Sequence, residues 1–339
     1  MTDEVVSGAV TNDPSGKNGT VSYTNYNQVG NRLQMTSTLA AVPSGTFIYD
    51  NNDRLTTDTY DSNGNTVSSA GIADTYDFEN RMLTHGAVTI VYDGDGNRVS
   101  ETVGGTTTKY LVDTLNPTGY PQVMDELVSG AVTRTYSYGL QRISENQKIG
   151  TTQTASFYGY DGHGNVRYLT GSAGTATDTY VYDAFGLPIT TTGSTPNNFL
   201  YSGEQYDSAL GAYYLRARYY NPATGRFLAM DQYEGSILDP LTLHKYLYTA
   251  NNPVNAGDPT GRGILDEVLL IGEVAARVTL PRAVFAIGIA ACPSITVAKW
   301  ILTGVKAGSV IFTGEPLDIP GEELLDQAKE YCESYFPEP

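Results

Sequence analysis

A tyrosine-aspartate pair recurs through the first two thirds of the chain, at Tyr49-Asp50, Tyr60-Asp61, Tyr76-Asp77, Tyr92-Asp93, Tyr160-Asp161 and Tyr182-Asp183. Several pairs continue alike, as Asp61-Ser62-Asn63-Gly64-Asn65, Asp93-Gly94-Asp95-Gly96-Asn97 and Asp161-Gly162-His163-Gly164-Asn165. Such spacing marks one small supersecondary unit copied many times, and an array of copies is a scaffold or a container. The flanking segments Thr20-Val21-Ser22-Tyr23, Ala87-Val88-Thr89-Ile90-Val91-Tyr92 and Asp178-Thr179-Tyr180-Val181-Tyr182 alternate β-branched or aromatic residues with small or polar ones, the pattern of strands. Gly-Asn pairs at Gly64, Gly96 and Gly164 supply the positive φ that tight turns need. Tyrosine spacings of 11, 16 and 16 residues from Tyr49 to Tyr92 each suit one strand-turn-strand unit. The string Val-Ser-Gly-Ala-Val-Thr at Val6–Thr11 and again at Val128–Thr133 supports internal duplication. No helical periodicity competes, so residues 1–195 read as an all-β repeat array.

Composition agrees. The 339 residues hold 26 tyrosines against 9 phenylalanines and 1 tryptophan, and tyrosine suits a half-buried pleated surface where its hydroxyl still finds a partner. A net charge of −17 argues against nucleic-acid binding, which needs clustered positive surface. Cys292 and Cys332 cannot build a disulfide framework, and no Cys/His cluster has zinc spacing, so neither a metal nor another cofactor is expected. The start, Met1-Thr2-Asp3-Glu4-Val5, shows no secretory signal. Export by another route, or membership of a longer chain, is the expectation.

From 196 to 261 the repeat stops and a dense, non-repeating block follows, ending in Asp258-Pro259-Thr260-Gly261. A repeat sheet leaves an open end and an unpaired edge, so this block reads as its cap. Residues 262–339 lose the Tyr-Asp units and turn helical in pattern. Ile264, Val268, Ile271, Ala275 and Val278 share one face, and Leu324, Leu325, Ala328, Tyr331, Cys332, Tyr335 and Phe336 form a second stripe.

The repeats, followed by Gly211-Ala-Tyr-Tyr-Leu-Arg-Ala-Arg-Tyr-Tyr-Asn-Pro-Ala-Thr-Gly-Arg-Phe-Leu228, resemble the closing core of Rhs/YD-repeat proteins. That family includes polymorphic toxins and the C component of insecticidal toxin complexes. The resemblance covers roughly residues 20–261. It implies a hollow shell of spiralling antiparallel strands, closed by a core that acts as an aspartyl autoprotease and frees a variable C-terminal toxin inside the chamber. Carried over residue by residue, it makes Asp231 and Asp258 the catalytic aspartates and Arg218 their arginine partner, with cleavage between Arg262 and Gly263. The chain departs from the family pattern in three places. Gln232 follows Asp231 where the family has proline, Glu234 to Pro240 reads as a small insertion, and Arg262 replaces leucine. Partners implied are the chain's own C-terminal domain inside the shell, an immunity protein and delivery machinery. The implied location is secreted or cell-surface, as part of a larger delivery system.

Two close carboxylates cannot both ionise, so one keeps a proton to polarise a carbonyl while the other activates water. A nearby arginine steadies the developing charge. Each residue also has a structural reading: Asp231 as a turn or strand-end residue, Asp258 as an Asx-turn before proline, and Arg218 as a structural partner for a buried carboxylate or a guanidinium stacked among Tyr213, Tyr214, Tyr219 and Tyr220. His85, His163 and His244 are far apart in sequence and read as turn or core residues. Asp93-Gly94-Asp95-Gly96-Asn97 echoes a calcium loop, but the twelfth position is Gly104 rather than glutamate. The C-terminal segment has no histidine, and its six Lys/Arg against eleven Asp/Glu disfavour a nuclease. Its uncharged run Ala283–Ala298 is shorter than a spanning helix, so membrane contact is only weakly indicated. Two functions from different classes therefore stand. One is a toxin-encapsulating shell segment that cuts itself after Asp258-Pro259-Thr260-Gly261. The other is a non-catalytic surface or wall-associated structural protein with an inactive pair.

Overall fold

The computed structural model describes residues 3–6, 19–149, 151–235, 240–263 and 265–266. The helical pattern expected of 262–339, with its uncharged run and both cysteines, lies almost wholly outside the described residues. What is described is mainly β, in large antiparallel sheets.

Fourteen strands, from Thr59–Tyr60 to Pro188–Thr192, form one sheet in which each strand pairs with its neighbours in sequence. A four-stranded sheet, Asp3–Val6, Gly19–Tyr26, Arg32–Ser37 and Gly45–Thr46, precedes it. Another, Gln205–Asp207, Ala212–Leu215, Arg218–Asn221 and Arg226–Phe227, follows it. Strict neighbour pairing is what short turns between antiparallel strands dictate.

The Tyr-Asp pairs build those turns. In each, the aspartate Oδ1 accepts the amides two and four residues on: Asp61 from Asn63 and Asn65 at 2.9 and 2.8 Å, Asp93 from Asp95 and Asn97 at 3.0 and 2.8 Å. The backbone closes the same loop, with Asp61 N–H bonded to the Asn65 carbonyl and Gly64 N–H to the Asp61 carbonyl. The fourth residue must then take positive φ, and it does: Gly64 at 80°, Gly96 at 84°, Gly164 at 80°, Gly186 at 88°, Asp53 at 60° and Asn80 at 61°. Tyr26-Asn27 makes the same turn with asparagine as the acceptor and Gly30 at 89°, a unit of the same geometry without the Tyr-Asp pair. At Asp93 burial works against the charged form, but the hydrogen bonds from Asn97, Asp95 and Gly96 outweigh it and hold the carboxyl below its usual range. This carboxylate is occupied by its own turn.

The tyrosine of the pair sits at an irregularity of the ladder, seen at Tyr60, Tyr76, Tyr160 and Tyr182. A bulge bends its strand and increases local twist. Repeated at successive units, it curls the sheet. The tyrosine hydroxyl then laces back to the strand that follows an earlier turn: Tyr49 to the Arg32 carbonyl, Tyr92 to Met82 and Tyr182 to Val166, each at 2.9 Å.

Alternation puts one face inward, as in Val88–Tyr92, where Val88 and Ile90 are buried and Thr89 and Val91 exposed. The 196–261 segment fills the concavity. One core cluster joins Val166, Leu169 and Tyr182 of the long sheet to Tyr213, Tyr220 and Tyr248, and another joins Met82, Val88 and Ile90 to Ala212 and Tyr219. A third brings Val21, Tyr23 and Met35 of the first sheet against Phe185 of the last Tyr-Asp turn. Arginines peg wall to core. Arg98 pairs with Asp207 at 3.2 Å under the Tyr214 ring, and Arg142 reaches the Gly203 carbonyl at 3.0 Å.

Candidate functional site: two carboxylates on a buried arginine

The strands Ala212–Leu215 and Arg218–Asn221 face each other with Leu215 opposite Arg218, leaving only Arg216 and Ala217 to turn the chain. Arg218 therefore opens a strand whose next two side chains, Tyr219 and Tyr220, are in the core, and its own head is buried. Its guanidinium lies 3.7 Å over the Phe227 ring. Its Nη2 reaches Asp231 Oδ2 at 2.8 Å and Asp258 Oδ2 at 3.6 Å. One nitrogen thus bridges both sequence-predicted aspartates. Nε and Nη1 donate to the carbonyls of Gly261 and Lys245. Burial pulls the Arg218 pKa down, and the two carboxylates only partly restore it.

Asp231 is positioned by its backbone, whose amide bonds to the Lys245 carbonyl at 2.9 Å, and its Oδ1 accepts the Tyr233 amide at 2.9 Å. Oδ2 is left for Arg218. Gln232, where the resemblance expects proline, turns its amide to the Glu79 carbonyl of the wall at 3.0 Å. The acidic stretch after it is described only to Gly235 and again from Pro240.

Asp258 sits in the loop of a small hairpin in which Ala256–Gly257 pairs with Leu265–Asp266. The bond between Arg262 and Gly263 lies in that loop. Asp258 is 3% exposed, and its Oδ1 accepts the amides of both Arg262 and Gly263 at 3.2 Å, with the Thr260 hydroxyl at the same distance. An Asx-type turn makes such contacts too, and the buried guanidinium of Arg218 lies beside this buried carboxyl. Burial pushes the Asp258 pKa up, against the lowering effects of Arg218 and of the Gly263 and Arg262 amides. Gly261 has φ 66°, and a Cβ there would stand 2.4 Å from the Leu215 carbonyl oxygen. The loop can lie this close to the hairpin only with glycine at that place.

The three candidates Arg218, Asp231 and Asp258 come together, with Arg262 and Gly263 beside them. Two further residues belong to the surroundings and were not singled out from sequence. Tyr248 stacks on Tyr220 at 4.1 Å, and burial, with the Asp258 charge contributing, raises its hydroxyl pKa. Arg216 donates to the Pro259 carbonyl. The nearness of Arg216 to Arg218 in sequence is the one signal that could have drawn attention to it. The histidines are elsewhere. His85 pairs with Asp74 at 2.7 Å and His163 stacks on Tyr201. His244 bonds Asn31 at 2.7 Å and, by burial and the charge of Arg226, has its pKa lowered to about 3. Among the described residues no group of three or more His, Cys, Asp or Glu is placed to hold a metal ion.

The fold and site define a class: a curled antiparallel sheet whose filling segment carries two carboxylates on one buried arginine. No family profile matches the chain. In sequence it is 36% identical over 219 residues to the tRNA3(Ser)-specific nuclease WapA of Bacillus spizizenii and 35% identical over 217 residues to the tRNA(Glu)-specific nuclease WapA of Bacillus subtilis subsp. natto. Each match takes in 60% of this chain and 9% of the relative, so the chain spans about a tenth of the length of these relatives. In fold it is similar to the crystal structure of TcdB2-TccC3, with a TM-score of 0.58 at 20% identity, over 72% of this chain and 14% of that one. The sequence relatives bear out the resemblance to toxin-related proteins of the Rhs type at that broad level, and the solved structure bears out the β fold.

Proposed function

We propose that this chain is a shell segment of an Rhs-type toxin whose 196–261 core cuts the bond between Arg262 and Gly263 and so frees residues 263–339. The observation that carries the reading is Asp258. Its carboxyl is buried with a raised pKa, and its Oδ1 lies 3.2 Å from the Gly263 nitrogen, the leaving atom of that bond. Asp231 is the more exposed partner, at 19% of its side chain against 2%, and takes the proton from water as the water oxygen bonds to the Arg262 carbonyl carbon. Arg218 balances the charge shared by the two carboxylates and the tetrahedral carbon. Asp258 passes its proton to the Gly263 nitrogen as the carbon–nitrogen bond breaks.

The two WapA relatives bear different tRNA specificities in their names yet match over the same share of this chain. That supports giving the matched part a role common to both, such as enclosure and release, rather than choice of target. In this reading the freed segment is the payload, held inside the sheet until delivery. An immunity protein and delivery machinery are its partners, and the assembly acts outside the producing cell or at its surface. The strand Leu265–Asp266 stays paired with Ala256–Gly257 after the cut, so the payload remains bound non-covalently.

Intact mass under denaturing conditions tests this. The wild-type chain is expected as two species that sum to the whole, with the break between Arg262 and Gly263. Asp231→Asn and Asp258→Asn are expected uncut and folded. A single wild-type species would leave the structural, non-catalytic reading in its place, and cutting that persists in both variants would remove the pair from the chemistry. The pH dependence follows from Asp258. As the proton donor it works while protonated, so cleavage slows as pH rises through its raised value. Asp258→Asn lacks that proton at every pH.

A further inference from the structure

Three successive carbonyls of the loop that carries the cleaved bond are held by three successive residues of one hairpin turn. Arg216 donates from its side chain to the Pro259 carbonyl, the Ala217 amide donates to the Thr260 carbonyl at 3.2 Å, and Arg218 donates from its side chain to the Gly261 carbonyl. Arg218 and Ala217 need nothing unusual to do so. Arg216 does, since its φ is 60°, in the left-handed region where an L side chain is strained. Glycine or asparagine would take that conformation more easily. The arginine there is also fixed from two other sides. Its Nη1 is 3.0 Å from each Glu204 carboxylate oxygen, and its Nε donates to the Pro121 carbonyl of the wall at 3.2 Å. Its guanidinium lies over the Tyr120 ring at 5.3 Å.

We infer that Arg216, oriented by Glu204, is a positioning residue for self-cleavage: it holds the Pro259 carbonyl so that Asp258 and the Arg262–Gly263 bond are brought to Arg218. This rests on the self-cleavage reading above. Arg216 contacts neither carboxylate of the pair, and its effect passes through the backbone of Asp258-Pro259-Thr260-Gly261. Loss of a positioning contact misplaces the bond relative to the acid, and misplacement by about 1 Å costs on the order of a hundred-fold in rate. The Pro121 contact also makes the clamp complete only when the wall strands have packed around the core.

The test follows the full chain made by cell-free translation, sampled over time and separated under denaturing conditions. Arg216→Gly relieves the left-handed strain while removing the clamp. It is expected to lengthen the cleavage half-life by about ten- to a hundred-fold, while the chain, read on an Asp258→Asn background, still melts cooperatively and any fall in melting temperature is repaired by lysine. Arg216→Lys keeps the charge without the fork and is expected between the two. The shape of the pH–rate profile is expected to stay put, because no proton donor is altered. Cleavage of Arg216→Gly at the wild-type rate would overturn the inference. So would a slow rate accompanied by a fall in melting temperature that lysine does not repair, which makes Arg216 a folding residue only. Should Arg216→Gly fail to fold, Glu204→Gln decides, with several-fold slowing expected and an unchanged rate overturning. An uncut wild-type chain is a different result and removes the self-cleavage reading itself.

Discussion

Glycines at the same place of the Tyr-Asp turn carry different burdens here. Gly64 and Gly96 both take the positive-φ place of a Tyr-Asp turn, at 80° and 84°. A Cβ on Gly96 would meet only the flexible end of Arg81 at 3.4 Å, whereas one on Gly64 would stand 2.8 Å from the Tyr246 hydroxyl and 2.9 Å from Met230 Cβ. Tyr246 also donates to the Gly64 carbonyl at 2.9 Å. Gly96→Ala is therefore expected to cost about 1–2 kcal/mol, the backbone penalty alone. Gly64→Ala adds a displaced core contact and is expected to cost distinctly more, which paired chemical-denaturation curves check. Equal losses would mean that the core yields freely at Met230. The turn positions themselves are legible in the sequence, because Asp, Gly and Asn at fixed offsets have one geometry that satisfies them all. What lies against each turn is not, since Tyr246 is 182 residues from Gly64. The same limit divides the site. Asp231, Asp258 and Arg218 came from a motif resemblance. Arg216 and Glu204 matter through a backbone conformation and a wall contact, neither of which spacing encodes.

At the scale of elements, the long sheet buries ionisable groups where period-two alternation predicts only tyrosine and aliphatic residues. Glu145 lies on the strand Arg142–Ile149 with 0% exposure, bonded by Tyr158 at 2.8 Å and by Gln147, with Arg134 at 3.8 Å and Glu126 and Arg142 nearby. Burial raises its pKa to about 7, against the lowering pull of Arg134, the Tyr158 hydrogen bond and Arg142. The sign follows directly. Between the ordinary glutamate value and about 7 the folded chain holds a proton that the unfolded chain has lost, so stability falls as pH rises through that window. Glu145→Gln is expected to flatten this slope, worth on the order of 3 kcal/mol at most, and to leave the variant comparatively firmer at pH 8 than at pH 5. Melting temperatures of both proteins across pH 5 to 8 measure it, and parallel curves would deny Glu145 the effect. Strands and hairpin order were readable because turns punctuate them so regularly. The polar interior was not, because Glu145 and Arg134 sit at positions of a pattern that a solvated strand would also show.

At the scale of the molecule, the filling segment and the curled sheet depend on each other. Two of the three core clusters mix residues from before and after position 196, as when Val166 and Leu169 pack with Tyr213 and Tyr220. Arg98, Arg142 and Arg226 each bond between wall and filling segment and would lose polar partners if either were missing. Arg98 would lose Asp207 and Tyr219, Arg142 the Gly203 carbonyl, and Arg226 would lose Asn31 and Asp53 of the wall. The ends of the wall also meet: Tyr23 donates to Asp183 at 3.0 Å, and Arg32 lies 4.5 Å over Phe185 while reaching the Ala223 carbonyl of the filling segment. Residues 1–195 and 196–261 are accordingly expected to unfold in one transition in the full chain. Residues 1–195 expressed alone are expected to lack a cooperative thermal transition, and the tyrosine near-ultraviolet dichroism that fixed rings give should be absent. A sharp, native-like melt of the isolated segment would mean that the bulged Tyr-Asp turns curl and hold the sheet by themselves. The filling segment would then be a guest in the wall rather than the core on which it forms.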